Sequence, residues 1–210
     1  MNELFEFDKN YGCVIGTDEA GRGPAAGGVF AAAVYFPEVT AGLISDLQKL
    51  NDSKKLSDTT REKLYDVILP NSIHSIICVE VEEIEKINIL NSSLKAMKLA
   101  CDDVIKMAKL ENFITLVDGN KNIKNYIYPQ KYIIKGDSKS ASIAAASILA
   151  KVSRDRYMAD LAKEYPQYGW NRNSGYLTPE HIKAIDEYGL TKYHRPSFLR
   201  KHFEKQLTLF

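Results

Sequence analysis

Short apolar, β-branched runs alternate along this chain with stretches whose apolar residues recur every three or four positions. No other feature constrains the fold as strongly. Cys13 to Thr17 (CVIGT), Val29 to Phe36, Ile73 to Val81 and Phe113 to Val117 (FITLV) read as strands, and Tyr126 to Ile134 as a further strand interrupted by Pro129. Ser57 is the expected N-cap of a helix carrying Leu64, Val67 and Ile68 on one face. From Ile87 to Leu110 the spacing of Leu90, Leu94, Met97, Ala100, Cys101, Val104 and Met107 predicts a long amphipathic helix. Ser140 to Leu161 reads as a small-residue helix able to pack closely on a sheet, and Thr178-Pro179-Glu180 opens another. Strands alternating with helices predict an α/β architecture, a sheet with helices on its faces.

The length of 210 residues fits one domain spanning 1–210, with no internal repeat and no low-complexity linker. No window offers the ~20 apolar residues of a membrane span. The opening MNELFEFDKN lacks a basic start followed by an apolar run, so no secretory signal is expected. Cys13, Cys78 and Cys101 are scattered and form no CxxC, which argues against a disulfide framework or zinc site and fits a reducing cytoplasm. The net charge of +1 hides an asymmetry. Residues 1–120 hold 12 Lys and Arg against 19 Asp and Glu, whereas residues 121–210 hold 16 against 8. A near-neutral total therefore does not exclude a polyanionic partner.

Carboxylates fall where two of the strands end. Asp18 and Glu19 follow CVIGT, Asp118 follows FITLV, and Asp155 lies in the 140–161 helix between Arg154 and Arg156. Strand ends of open α/β sheets face the ligand crevice. Oxygen donors without His or Cys beside them suit Mg²⁺ or Mn²⁺ rather than zinc. Taken singly, Asp118-Gly119-Asn120 reads as a plain turn and Asp155 as a surface ion pair; together with the glycine loop they point to a metal site. Adjacent residues of a regular strand face opposite ways, so Asp18 and Glu19 share one site only if the chain bends, as the following AGRG permits.

Residues 20–28 (AGRGPAAGG) form a turn or close-approach loop, with Gly21, Arg22 and Gly23 exposing backbone N–H groups. The loop is neither a Walker loop nor a dinucleotide fingerprint, since a strand follows it. Asn173-Ser174-Gly175-Tyr176 reads either as a turn presenting an aromatic ring or as the site of a core tyrosine. Lys54 and Lys55 of DSKK belong to a polar loop that can contact phosphates.

Together, GTDEAGRGP (16–24), DSKKL (52–56), VDGN (117–120), SIAAASILAKVSRDRYM (142–158), GY with TPEH (175–181) and YHRPSF (193–198) resemble ribonuclease HII, the type 2 ribonuclease H. The resemblance runs from about Gly12 to Phe198. It implies a ribonuclease H-like fold, a central mixed β-sheet flanked by helices with a helical C-terminal part at about 160–205. It implies endonucleolytic cutting of the RNA strand of RNA–DNA hybrids and incision at ribonucleotides embedded in duplex DNA, leaving 3′-hydroxyl and 5′-phosphate ends. The metal-binding carboxylates it implies fall on Asp18, Glu19, Asp118 and Asp155, the ribonucleotide-sensing GRG on Gly21, Arg22 and Gly23, and the sensing tyrosine on Tyr176. One departure is Gly175-Tyr176-Leu177-Thr178, where family members often carry G-Y-G-T. Arg22 favours ribonuclease HII over the related ribonuclease HIII, which differs at that arginine.

Phosphodiester hydrolysis needs an activated water, charge relief on the transition state and a stabilised leaving oxygen, which two divalent ions about 3.5–4 Å apart supply. The 2′-hydroxyl is the one group separating ribose from deoxyribose, so Gly21 to Gly23 and Tyr176 are the expected readers. The terminal Gln206-Leu207-Thr208-Leu209-Phe210 resembles the short peptide by which bacterial replication and repair proteins dock on the DNA sliding clamp, with Leu207, Leu209 and Phe210 as apolar anchors. The protein is expected to be a cytoplasmic monomer. Two other readings stay open: another metal nuclease on the same fold, and a non-catalytic hybrid-binding or clamp-associated module. Four acids at the contact surface disfavour a pure polyanion binder.

Overall fold

The computed structural model describes residues 3–50, 53 and 56–200. Five strands make one mixed sheet: β1 (Val14–Ala20), β2 (Val29–Tyr35), β3 (Ile73–Val79), β4 (Ile114–Asp118) and β5 (Gln130–Ile133), in the order β3-β2-β1-β4-β5. β1 runs antiparallel to β2 and parallel to β4, and β4 runs parallel to β5. Helices α1 (Glu3–Lys9), α2 (Ala41–Asp46), α3 (Asp58–Asn71) and α5 (Ala141–Glu164) cover one face, and α4 (Val81–Ala108) covers the other.

The period-two pattern of β2 explains why both faces are dry. Ala32 and Val34 meet Ala144, Ala145, Ile148 and Leu149 of α5, while Val29, Ala31 and Ala33 meet Leu94, Met97, Ala100 and Val104 of α4. The small residues of α5 let it settle directly on β1. A Cβ at Gly16 would overlap the backbone of Ser142 and Ile143, so only glycine fits there. Ser140 caps α5 by accepting from Ile143 N, and Ser57 caps α3 by accepting from Thr60 N.

Beyond shifts of a few residues at the ends of β1 and β3, β5 and α4 differ from the sequence expectation. β5 is four residues long, not nine: Pro129 cannot donate to a ladder, and the preceding Tyr126 instead puts its hydroxyl 2.7 Å from Thr115 Oγ1. α4 begins at Val81, with a break at Asn88 (φ 66°), whose Oδ1 accepts from Asn91 N and caps the amphipathic segment predicted from Ile87. Beyond α5, the short α6 (Trp170–Asn173) and α7 (Pro179–Tyr188) pack with Ala25 and Ala26 of the glycine loop and Met158 and Leu161 of α5 around the fully buried Trp170. Among the described residues, no helix is long and apolar enough to cross a membrane.

Candidate active site

β1 does not bend after Thr17. It runs on to Ala20, and Asp18 and Glu19 pair with Ala32 and Ala31 of β2. By alternation Asp18 shares the α5 face with Gly16, and Glu19 shares the α4 face with Ile15. Asp118 ends β4, one step beyond the Thr17–Val117 pair, and lies on the α5 face with Leu116. Asp18 and Asp118 are thus neighbours on one face, whereas Glu19 reaches from the other. Asp18 is buried, and its Oδ1 accepts from Glu19 N at 2.7 Å. Burial first, then the charges of Glu19, Asp118 and Asp137, push its carboxyl well above the usual carboxylate range. Glu19 Oε1 is turned to Arg22 Nη1 at 3.1 Å.

Asp137 was not anticipated from the sequence. It lies in a 3₁₀ turn, Gly136–Ser138, that leads into α5. Gly136 N donates to Asp118 Oδ1 at 2.7 Å, which ties that turn to the end of β4. The signal was present: Asp137 follows β5 as Asp118 ends β4, but three residues separate it from the strand.

The structure does not bring Asp155 beside Asp18 and Asp118. α5 meets β1 at Gly16 with Ser142 and Ile143, and reaches Gly21 only with Arg154. Asp155 is therefore displaced along the helix from the level of Asp18. Its Oδ1 accepts from Lys151 Nζ at 2.5 Å, and it lines a cleft of about 360 Å³ with Arg61, Glu62, Arg156 and Arg172.

The structure does bring the glycine loop and the tyrosine together. A Cβ at Gly23 would lie 3.1 Å from Tyr176 Cε1. Gly21 has φ 99°, and a Cβ there would also overlap Arg154. Ala25 N donates to Gly175 O at 2.9 Å. Beneath the turn, Trp170 Nε1 donates to His181 Nε2 at 3.0 Å. His181 Nε2 lies 3.1 Å from His194 Nε2, and His181 Nδ1 lies 2.9 Å from Tyr176 O. With Thr191 N donating to His194 Nδ1, a consistent assignment has both rings neutral and Nδ1–H of His181 donating to the Tyr176 carbonyl. Burial lowers the pKa of both rings, that of His194 to about 4. The Tyr176 ring remains exposed.

The sequence pattern of the family Ribonuclease HII matches residues 15–206. This chain belongs to that family. The ribonuclease HII of Fusobacterium nucleatum subsp. nucleatum is 50% identical over 206 residues, covering 98% of this chain and 94% of that relative. Among solved structures, the ribonuclease H2 of Pyrococcus horikoshii OT3 superposes with a TM-score of 0.71 at 26% identity, over 91% of this chain and 97% of the other. The ribonuclease HII in the PCNA:RNase HII complex from Archaeoglobus fulgidus gives 0.69 at 26% identity, over 87% and 93%. Membership in ribonuclease HII makes the chain a nuclease hydrolase of the ribonuclease H type, on an α/β ribonuclease H-like fold.

Within this ribonuclease HII fold, no three acidic, His or Cys side chains among the described residues stand close enough to enclose a metal ion. The donor set nonetheless fits a hard cation. Asp18 is buried among three other carboxylates, and among the described residues no Lys or Arg pairs with it. Such a carboxylate is ionised at low cost only when positive charge is supplied beside it. Lys54, Lys55 and the tail residues Gln206, Leu207, Leu209 and Phe210 lie outside the described residues.

Proposed function

We propose that this ribonuclease HII cuts the RNA strand of RNA–DNA hybrids and incises duplex DNA at embedded ribonucleotides, leaving 3′-hydroxyl and 5′-phosphate ends. The observation that carries the reading is the meeting of two features on one edge of the sheet. A buried carboxylate surrounded by acids, Asp18, lies three residues from a glycine turn that packs on an exposed tyrosine. Asp18, Glu19, Asp118 and Asp137 would hold divalent ions, Mg²⁺ or Mn²⁺, with Asp137 in the place first expected of Asp155. Two such ions bound there would polarise the scissile phosphate and lower the pKa of a water. The chain itself orients the set: Glu19 N fixes the Asp18 carboxylate and Gly136 N fixes that of Asp118. β1 stays straight, so Glu19 joins them from the opposite face by giving up Arg22 and reaching round the strand with its longer side chain, whose charge already acts on Asp18; this frees Arg22 for a phosphate.

The backbone of Gly21 to Gly23 reads the 2′-hydroxyl, and the exposed Tyr176 supplies a second donor and a flat face for the neighbouring sugar. Lys54 and Lys55 hold flanking phosphates, contacts that position without reading sequence. The 206–210 tail docks the protein on a sliding clamp. The Archaeoglobus fulgidus relative, solved in complex with PCNA, supports that reading. Retention of clamp binding after deletion of 206–210 would exclude it.

The test is Asp118→Asn. Hybrid binding should persist while Mg²⁺-dependent cutting falls by about 100-fold or more, the order seen when groups that orient a metal site are lost. Undiminished cutting removes Asp118 from the chemistry. An all-DNA duplex should remain intact throughout, and its cleavage would favour a general metal nuclease.

A further inference from the structure

Two buried guanidiniums hold the glycine-rich loop, and both donate to backbone carbonyls. Arg195 Nε and Nη2 donate to Gly27 O at 2.8 and 2.6 Å, and its Nη1 donates to Pro24 O at 2.8 Å. Arg154 does something Arg195 does not: it crosses between two segments. Its Nη2 donates to Ala26 O at 3.2 Å and to Ser174 O at 3.1 Å, and its Nε reaches Gly28 O at 3.4 Å. Its side chain lies under Gly21 closely enough to exclude any Cβ there. One planar group therefore touches the start of the loop, its exit into β2 and the residue two before Tyr176.

Arg154 is 2% exposed, and a buried guanidinium whose hydrogen-bond partners among the described residues are carbonyls is costly to keep. Burial depresses its pKa, as that cost requires. An aliphatic side chain would fill the same space without the penalty but could not span two strands of backbone. The rigid five-donor fork is what arginine alone provides.

We infer that Arg154 is the positioning residue that fixes the Tyr176 turn against the Gly21–Gly23 backbone, and thereby sets discrimination for a ribose 2′-hydroxyl. The inference rests on the substrate reading above. The clamp itself is measurable without activity.

Arg154→Lys keeps the charge and loses the fork; Arg154→Gln keeps donors and loses the charge. In both, amide exchange at Ala25, which bonds Gly175 O, should accelerate by about tenfold or more while amides of the interior strand β2 keep their rates. On a duplex carrying one ribonucleotide, kcat should fall about tenfold with KM within about twofold. In a Tyr176→Phe background the same substitution should cost much less, because both act through one contact. Unchanged exchange at Ala25, acceleration spread evenly through β2, or losses that multiply in the double variant would each overturn the inference. Failure of the unsubstituted protein to cut at a ribonucleotide would instead sink the substrate reading, and exchange at Ala25 would still decide the clamp.

Discussion

Asp18 and Asp118 lie on adjacent parallel strands, each one register step beyond the Thr17–Val117 pair, and both face α5. Two carboxylates so placed repel unless positive charge arrives; burial first, and then the charges of Glu19, Asp118 and Asp137, raise the pKa of Asp18. The parallel β1–β4 pairing brings together residues a hundred positions apart.

The identity of the fourth acid is open to a direct comparison. Asp137 lies in the turn tied to Asp118, while Asp155 is engaged with Lys151. Asp137→Asn should lower Mg²⁺-dependent cutting of a hybrid by about 100-fold or more, and Asp155→Asn by less than about tenfold. Steady-state rates on the same hybrid check this, and the reverse order would return Asp155 to the site.

Most of the architecture was legible because it is local. The period-two runs of β1, β2 and β4 and the Ser57, Ser140 and Thr178 caps carry their own signals. Asp18, Glu19 and Asp118 were found because each directly follows a short apolar strand run in the sequence. Asp137 was missed because its placement depends on a tertiary bond, Gly136 N to Asp118, that no local pattern announces. The long helix offered Asp155 without stating how far along β1 it would fall. Arg154 and the His181–His194 pair were likewise invisible, since their partners are carbonyls and rings far away in sequence.

Gly16 carries the closest approach of helix to sheet. Gly16→Ala would force the start of α5 away from β1 and should destabilise the fold by about 1–3 kcal/mol. Thermal or denaturant unfolding measures it, and a neutral result would mean that α5 yields easily.

Tyr176→Phe removes the phenol and keeps the ring. Cutting at a single embedded ribonucleotide should fall several-fold more than cutting of a long hybrid, where many ribose positions offer themselves. Parallel rate measurements on the two substrates decide, and equal losses would remove Tyr176 as a 2′-hydroxyl reader.

Acid should loosen the floor beneath Tyr176. His194 is neutral in the folded protein with its pKa lowered to about 4, and that of His181 is also lowered. The unfolded chain takes up these protons near pH 6.5, so stability falls as pH drops from about 6.5 toward 4, by up to about 3 kcal/mol for His194. Asp8 and Asp18, whose pKa values are raised, act in the opposite sense. Comparison with His194→Gln therefore isolates the effect: the loss of melting temperature between pH 7.5 and 5.5 should be larger in the unsubstituted protein. Equal losses would show that the pair is not buried neutral.

The central claim is that a set of acids at the ends of β1 and β4 and at the turn before α5 cuts beside a pocket that senses one ribose oxygen. Its most direct test is a duplex DNA carrying a single ribonucleotide, incubated with the protein and Mg²⁺ or Mn²⁺ while the nick is mapped. The predicted result is one incision at the ribonucleotide with 3′-hydroxyl and 5′-phosphate ends, absent from the all-DNA duplex and lost in Asp137→Asn. An intact ribonucleotide strand, or equal cutting of the all-DNA duplex, would contradict it.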